Sequence, residues 1–94
     1  MADIGCAGIL VADTFCGPMP ALPREGQLLT LDAMPVKAGG CAANVGIGLV
    51  KQGWSVDVVG CLGDDASANV LRSCLEQYGV NCAFIKYTRE RPTS

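Results

Sequence analysis

Residues 4–12 run almost without a polar interruption, which predicts a β-strand covered on both faces. A proline-rich stretch follows, Phe15-Cys16-Gly17-Pro18-Met19-Pro20 and on to Pro23. Proline's fixed φ and missing N–H exclude a helix there. Residues 27–31 and 34–38 are short strand candidates around a turn at Asp32-Ala33. Neither alternates between two faces, which predicts edge or protruding strands. Over residues 42–52 the pattern turns helical, with Val45, Leu49 and Gln52 on one side and Gly53 as the stop. Gly46 and Gly48 each weaken that helix by up to ~1 kcal/mol relative to alanine. They suit a helix that must lie close against a strand.

Residues 54–62 predict a second buried strand centred on Val56, Val58 and Val59. Residues 66–78 predict a second helix, capped by Asp64 or Asp65. Its apolar face holds Val70, Leu71, Cys74 and Leu75 at 3.6-residue spacing, and Gly79 closes it. Residues 82–87 form a third strand candidate, and residues 88–94 are polar. Strands alternating with helices predict an α/β fold on a parallel sheet built from right-handed crossovers.

Composition limits the options. The 94 residues allow one domain, and a chain of that length buries only around 60–65% of its unfolded surface. Half the residues are hydrophobic and 17% are charged, a balance expected of a piece of a larger fold. A net charge of −2, with no basic stripe, excludes non-specific nucleic-acid binding. The chain has 6 cysteines and no histidine. No cysteine pair shows C-x-x-C spacing, which excludes a zinc or thioredoxin-type site. Cys6, Cys61, Cys74 and Cys82 fall in apolar strand or helix patterns, and Met1-Ala2-Asp3 lacks the basic start of a secretory signal. Free thiols and a cytoplasmic location are therefore expected. No apolar run approaches the ~20 residues of a membrane span.

The candidate chemistry centres on Ala38-Gly39-Gly40-Cys41-Ala42-Ala43-Asn44-Val45-Gly46. Adjacent glycines permit close backbone approach, and a helix that starts just after them points free N–H groups outward. Asn44 adds a donor and an acceptor on a short arm. Such a start suits a small polyhydroxylated ligand; it also suits a tight loop that lets the helix pack on a sheet. Asp13, just past the first strand, lies where open α/β sheets bind ligands. It can accept from two sugar hydroxyls or cap its own turn. Asp64 and Asp65 can hold a metal or complement a helix dipole.

Together with Val59-Gly60-Cys61-Leu62-Gly63-Asp64-Asp65, Tyr78-Gly79-Val80 and Arg91-Pro92-Thr93, this order of elements resembles the N-terminal part of the PfkB/ribokinase family of carbohydrate kinases. The resemblance runs from about Ile4 to Thr93. It implies a ribokinase-like three-layer parallel sheet, of which residues 1–94 would be the N-terminal portion. Residues 27–38 would be its small β lid. It also implies ATP-dependent phosphorylation of a sugar or sugar-like hydroxyl. Asp13, Gly39, Gly40 and Asn44 match the family's sugar-contacting positions, and Thr93 matches a Pro-Thr or Ser-Thr step. The family's Gly-Ala-Gly-Asp motif, with its catalytic Asp and nucleotide pocket, does not occur here. ATP and Mg2+ are expected only in a complete enzyme, and this chain alone is expected to be inactive. Cys41, Ala42 and Ala43 stand where ribokinase-like members often carry Lys and Gly, so the sugar's identity stays open. The rival expectation is a non-catalytic small-molecule-binding or interaction module on the same fold. The expected partner is a small-molecule sugar, with no nucleic acid or membrane. Exposed lid strands offer their edges to a second copy of the chain, so a homodimer is also expected.

Overall fold

The computed structural model describes residues 2–94, so Met1, part of the leader reading, lies outside the described residues. Seven elements follow one another. They are β1 (Ile4–Ala7), β2 (Val11–Thr14), β3 (Val36–Gly39), α1 (Cys41–Lys51), β4 (Val56–Gly63), α2 (Ala66–Gln77) and β5 (Asn81–Thr88). β1, β4 and β5 form a parallel sheet in that order, while β2 and β3 form a separate antiparallel ribbon.

The first apolar run is thus two strands in two sheets rather than one. β1 pairs with β4 from Ile4 opposite Val56 to Ala7 opposite Val59. The chain then leaves the sheet at Gly8, whose N–H still reaches the Val59 carbonyl at 3.1 Å. Leu10 is buried and packs over Gly60, where a Cβ would stand 2.7 Å from the Leu10 side chain. Hydrophobicity stays continuous because Leu10 fills the crossing between the sheets. Residues 27–31 form no strand. The second candidate becomes β3, which pairs not with them but with β2.

Both helices lie on one face of the parallel sheet. Val56, Val58, Leu62 and Ile85 point into the same core as Leu71 and Leu75 of α2 and Ala42 and Ala43 of α1. The helices also meet each other: Lys51 Nζ sits 5.0 Å from the Tyr78 ring centre. Burial along α1 departs from the expected face. Its buried positions are Ala42, Ala43 and Gly46, while Val45 is exposed. The cause is close approach. A Cβ on Gly46 would lie 3.1 Å from a Val58 methyl and 3.5 Å from one of Val56. A larger residue there would push the helix off β4, so small side chains make the contact and the large ones turn out. In α2 the buried face is Ala68, Leu71 and Leu75, with Cys74 half-buried and Val70 exposed.

The opposite face of the sheet is bare, with Val59 and its register partner Phe84 exposed at 42% and 58%. Residues 15–35 extend from the body as an arm, on which Leu22 and Leu28 are 84% and 90% exposed. The radius of gyration, 15.6 Å, reflects that arm, since a compact chain of this length is expected near ~12–13 Å. All 6 cysteines are free; Cys6 and Cys82 are buried, and Cys16, Cys41 and Cys61 are exposed. No helix among the described residues is long and apolar enough to cross a membrane.

Candidate functional site

The Gly39-Gly40 pair sits where the ribbon hands over to α1, and each glycine has its own reason. A Cβ on Gly39 would fall inside the carboxylate of Asp13, with its Cγ at 2.7 Å. Gly39 therefore lets that carboxylate lie directly against the backbone. Gly40 has φ +87°, a region that L side chains rarely adopt. A Cβ there would also meet the backbone before β2, with the Ile9 carbonyl carbon at 2.8 Å and Leu10 Cα at 3.1 Å. That close approach lets the Ala42 N–H donate to the Ile9 carbonyl at 3.2 Å. The start of α1 is thereby locked to the start of β2.

Asp13 lies within β2, in the ribbon, rather than just past the end of the first strand. Its cross-strand partner is Lys37. Directly opposed side chains share a face, yet no ion pair forms. The Lys37 ammonium instead sits over the Phe15 ring, 5.3 Å from its centre. The salt bridges among the described residues are Arg72–Glu76 and Arg89–Asp64. The Asp13 carboxylate is half-buried and outside both of them.

Helix α1 has no side-chain cap, since Gly40 is its N-cap, and no acidic residue in its first turn. Asn44 is one turn in. Its backbone N–H donates to the Gly40 carbonyl at 3.0 Å, and its side chain is exposed. Asn44 lines a groove of about 280 Å³ with Lys37, Ala38, Ile47, Cys74 and Tyr78. Of the four candidate residues, Asp13 and Gly39 are therefore in direct apposition, and Gly40 follows Gly39 in the chain but packs on the Ile9–Leu10 backbone. Asn44 joins them through Lys37 and Ala38, the register partners of Asp13 and Ala12. A larger cavity of about 690 Å³ is folded within the arm and contains none of the four.

The second candidate cluster resolves differently. Asp65 caps α2 by accepting from the Ala68 N–H at 2.9 Å. It also accepts the Thr93 N–H at 2.8 Å and the Thr93 hydroxyl at 2.7 Å. The Thr93 backbone N–H, then its hydroxyl, then the Ala68 N–H hold the Asp65 carboxyl below its ordinary value. Asp64 pairs with Arg89 at 3.2 Å. These partners occupy the carboxylates as local anchors, in keeping with the helix-dipole alternative. The Thr93 hydroxyl is engaged by Asp65 and by the Gly63 N–H. What sequence reasoning missed is this network, because Thr93 and Asp65 lie 28 positions apart. Its only signal was the pair of acidic residues at a helix start.

The pattern of the pfkB family carbohydrate kinases matches residues 1–94. The bifunctional protein HldE of Marinomonas sp. is 45% identical over 60 residues, which are 64% of this chain and 12% of that protein. The aminoimidazole riboside kinase of Salmonella typhimurium is 38% identical over 48 residues, covering 51% of this chain and 15% of that one. Among solved structures, Arabidopsis thaliana ribokinase complexed with ribose and ATP superposes with a TM-score of 0.81 at 26% identity, over 98% of this chain and 30% of that chain. Fructokinase from Xylella fastidiosa gives 0.75 at 30% identity, over 96% and 26%. The chain thus spans less than a third of each of these proteins.

Proposed function

Because this chain belongs to the pfkB family of carbohydrate kinases, we propose that it carries the sugar-binding part of an ATP-dependent sugar kinase. The observation behind the proposal is the Asp13 carboxylate, laid against the Gly39 backbone, outside the ion pairs among the described residues and near a helix start that has no side-chain cap. A carboxylate accepts hydrogen bonds only, so neighbouring sugar hydroxyls are its natural partners. Asn44 would add a donor and an acceptor, and the two glycines would let the sugar ring approach the main chain. The relatives fit a ligand of this kind: one is named an aminoimidazole riboside kinase and another is a ribokinase bound to ribose.

Asp13 and Asn44 would bind and orient the sugar; of the lid expected over residues 27–38 only β3 is strand, so the lid that keeps water from the reacting hydroxyl would be the ribbon β3 makes with β2. ATP would supply the phosphoryl group, with Mg2+ neutralising its charge. Residues 1–94 contain no Gly-Ala-Gly-Asp sequence, the motif that the family resemblance ties to those groups. In this reading the base and the nucleotide pocket would be supplied from outside these residues. The exposed arm between the two lid strands, with Leu22 and Leu28 bare, suits association with a second copy of the chain. The free thiols suit the cytoplasm.

Calorimetric titration of the chain with D-ribose and D-fructose tests the proposal. Saturable binding that Asp13→Ala abolishes is expected. Binding unchanged by Asp13→Ala would overturn it.

A further inference from the structure

The strand that carries Asp13 is held from both edges, and the second edge leads to Asp65. Along β2, Val11 opposes Gly39 and Asp13 opposes Lys37, and the ladder continues with the Phe15 N–H on the Pro35 carbonyl at 2.9 Å. Odd-numbered residues therefore turn their backbone groups toward β3, and Ala12 turns its N–H away. That outward N–H donates to the Ser94 carbonyl at 2.7 Å. Ser94 follows Thr93 directly, and Thr93 is the most tightly held residue of the closing segment. Its N–H donates to one Asp65 oxygen at 2.8 Å and its hydroxyl donates to the other at 2.7 Å. The same hydroxyl accepts the Gly63 N–H at 3.0 Å. Space is kept for this: a Cβ on Gly63 would lie 2.5 Å from the Thr93 nitrogen and 2.7 Å from an Asp65 oxygen.

We propose that Asp65 is a positioning residue for the sugar site, acting through Thr93 and Ser94 to fix the strand that carries Asp13. The role of the sugar rests on the functional proposal above, while the mechanical coupling does not. The competing assignment is a helix cap alone. It accounts for the bond to Ala68 but not for the three bonds that Thr93 makes with Asp65 and Gly63. The chain of contacts is continuous from the end of β4 to the residue before Asp13.

Thr93→Val separates the two, because it removes the hydroxyl but keeps the Thr93 N–H and the Ala68 cap. In hydrogen exchange by NMR, Thr93→Val is expected to speed the Ala12 and Gly63 amides about tenfold, the effect of one lost hydrogen bond. It should leave Ala68 unchanged and shift the Asp13 carboxyl carbon resonance. Thr93→Ser should restore the wild-type pattern, and Asp65→Asn should speed all three amides. Titration with D-ribose should then weaken severalfold in Thr93→Val and not in Thr93→Ser. If Thr93→Val leaves the Ala12 amide and the Asp13 carboxyl where they were, the positioning role is refuted, whatever Gly63 does. If the wild-type chain ignores both D-ribose and D-fructose, the sugar assignment fails, while the amide and carboxyl signals still decide the coupling.

Discussion

Gly39→Ala should damage ligand binding without damaging the fold. The new Cβ would occupy the space of the Asp13 carboxylate, whose Cγ would be 2.7 Å away. That obstacle is the end of a side chain, so it can swing aside without moving the backbone. Gly39 carries no positive φ, so alanine fits its conformation there. A glycine-to-alanine change at a compatible position stabilises by about 0.4–1 kcal/mol through the unfolded chain. Repacking the carboxylate offsets part of that, and the unfolding free energy should stay within about 1 kcal/mol of wild type. The displaced carboxylate, however, loses its hydrogen bonds to the sugar. A bond to a charged group contributes about 1.5–3 kcal/mol, which is about ten- to hundredfold in affinity. The assay is a double-mutant cycle of Gly39→Ala and Asp13→Ala, read by sugar titration and by denaturant unfolding. If Gly39 acts through Asp13, Gly39→Ala should have almost no effect on affinity once Asp13 is already alanine. Additive losses in affinity, or a large loss of stability from Gly39→Ala alone, would refute the reasoning.

Gly40→Ala should behave in the opposite way, destabilising the chain by about 1–3 kcal/mol, because φ +87° and the Ile9–Leu10 backbone leave no side-chain escape; denaturant titration checks this. Acid should weaken the fold in part through Asp65, whose folded pKa lies below its ordinary 3.8. A lowered carboxyl contributes stability above the unfolded value that is lost as pH falls through the folded one. Unfolding midpoints followed downward from pH 5 should therefore fall less in Asp65→Asn than in wild type. Thiol titration should count 6 cysteines in denaturant, with Cys16, Cys41 and Cys61 reacting first in the native chain. Cys82 should react last, since burial, reinforced by the charge of Glu76, pushes its thiol up.

The alternating strands and helices were legible because period and punctuation agree. Gly53 and Gly79 end α1 and α2 with φ +95° and +89°, and Asp65 caps where a short polar residue precedes an apolar run. The break at Gly8 was not legible, because Leu10 keeps the run apolar while the chain changes sheets. Nor was the buried face of α1. Periodicity weights large side chains, whereas the distance between α1 and β4 is set by Ala42, Ala43 and Gly46. Residues 27–31 carry strand-compatible side chains but find no strand partner among the described residues, and partnership is what makes a strand. At the site, the glycine pair announced a close approach, but only the structure shows what approaches: the Asp13 carboxylate at Gly39 and the Ile9–Leu10 backbone at Gly40. The Lys37–Phe15 contact that leaves Asp13 out of an ion pair depends on cross-strand register, which the bare sequence does not display.

The central claim is that Asp13, Gly39, Gly40 and Asn44 form one sugar-binding surface. Backbone amide shifts of the labelled chain, followed by NMR during saturation with D-ribose and then D-fructose, test it most directly. At least one sugar should give perturbations concentrated at these four residues and the first turn of α1, while ATP gives none there. Perturbations confined to the cavity at residues 20–29, or a response to ATP with none to either sugar, would contradict it.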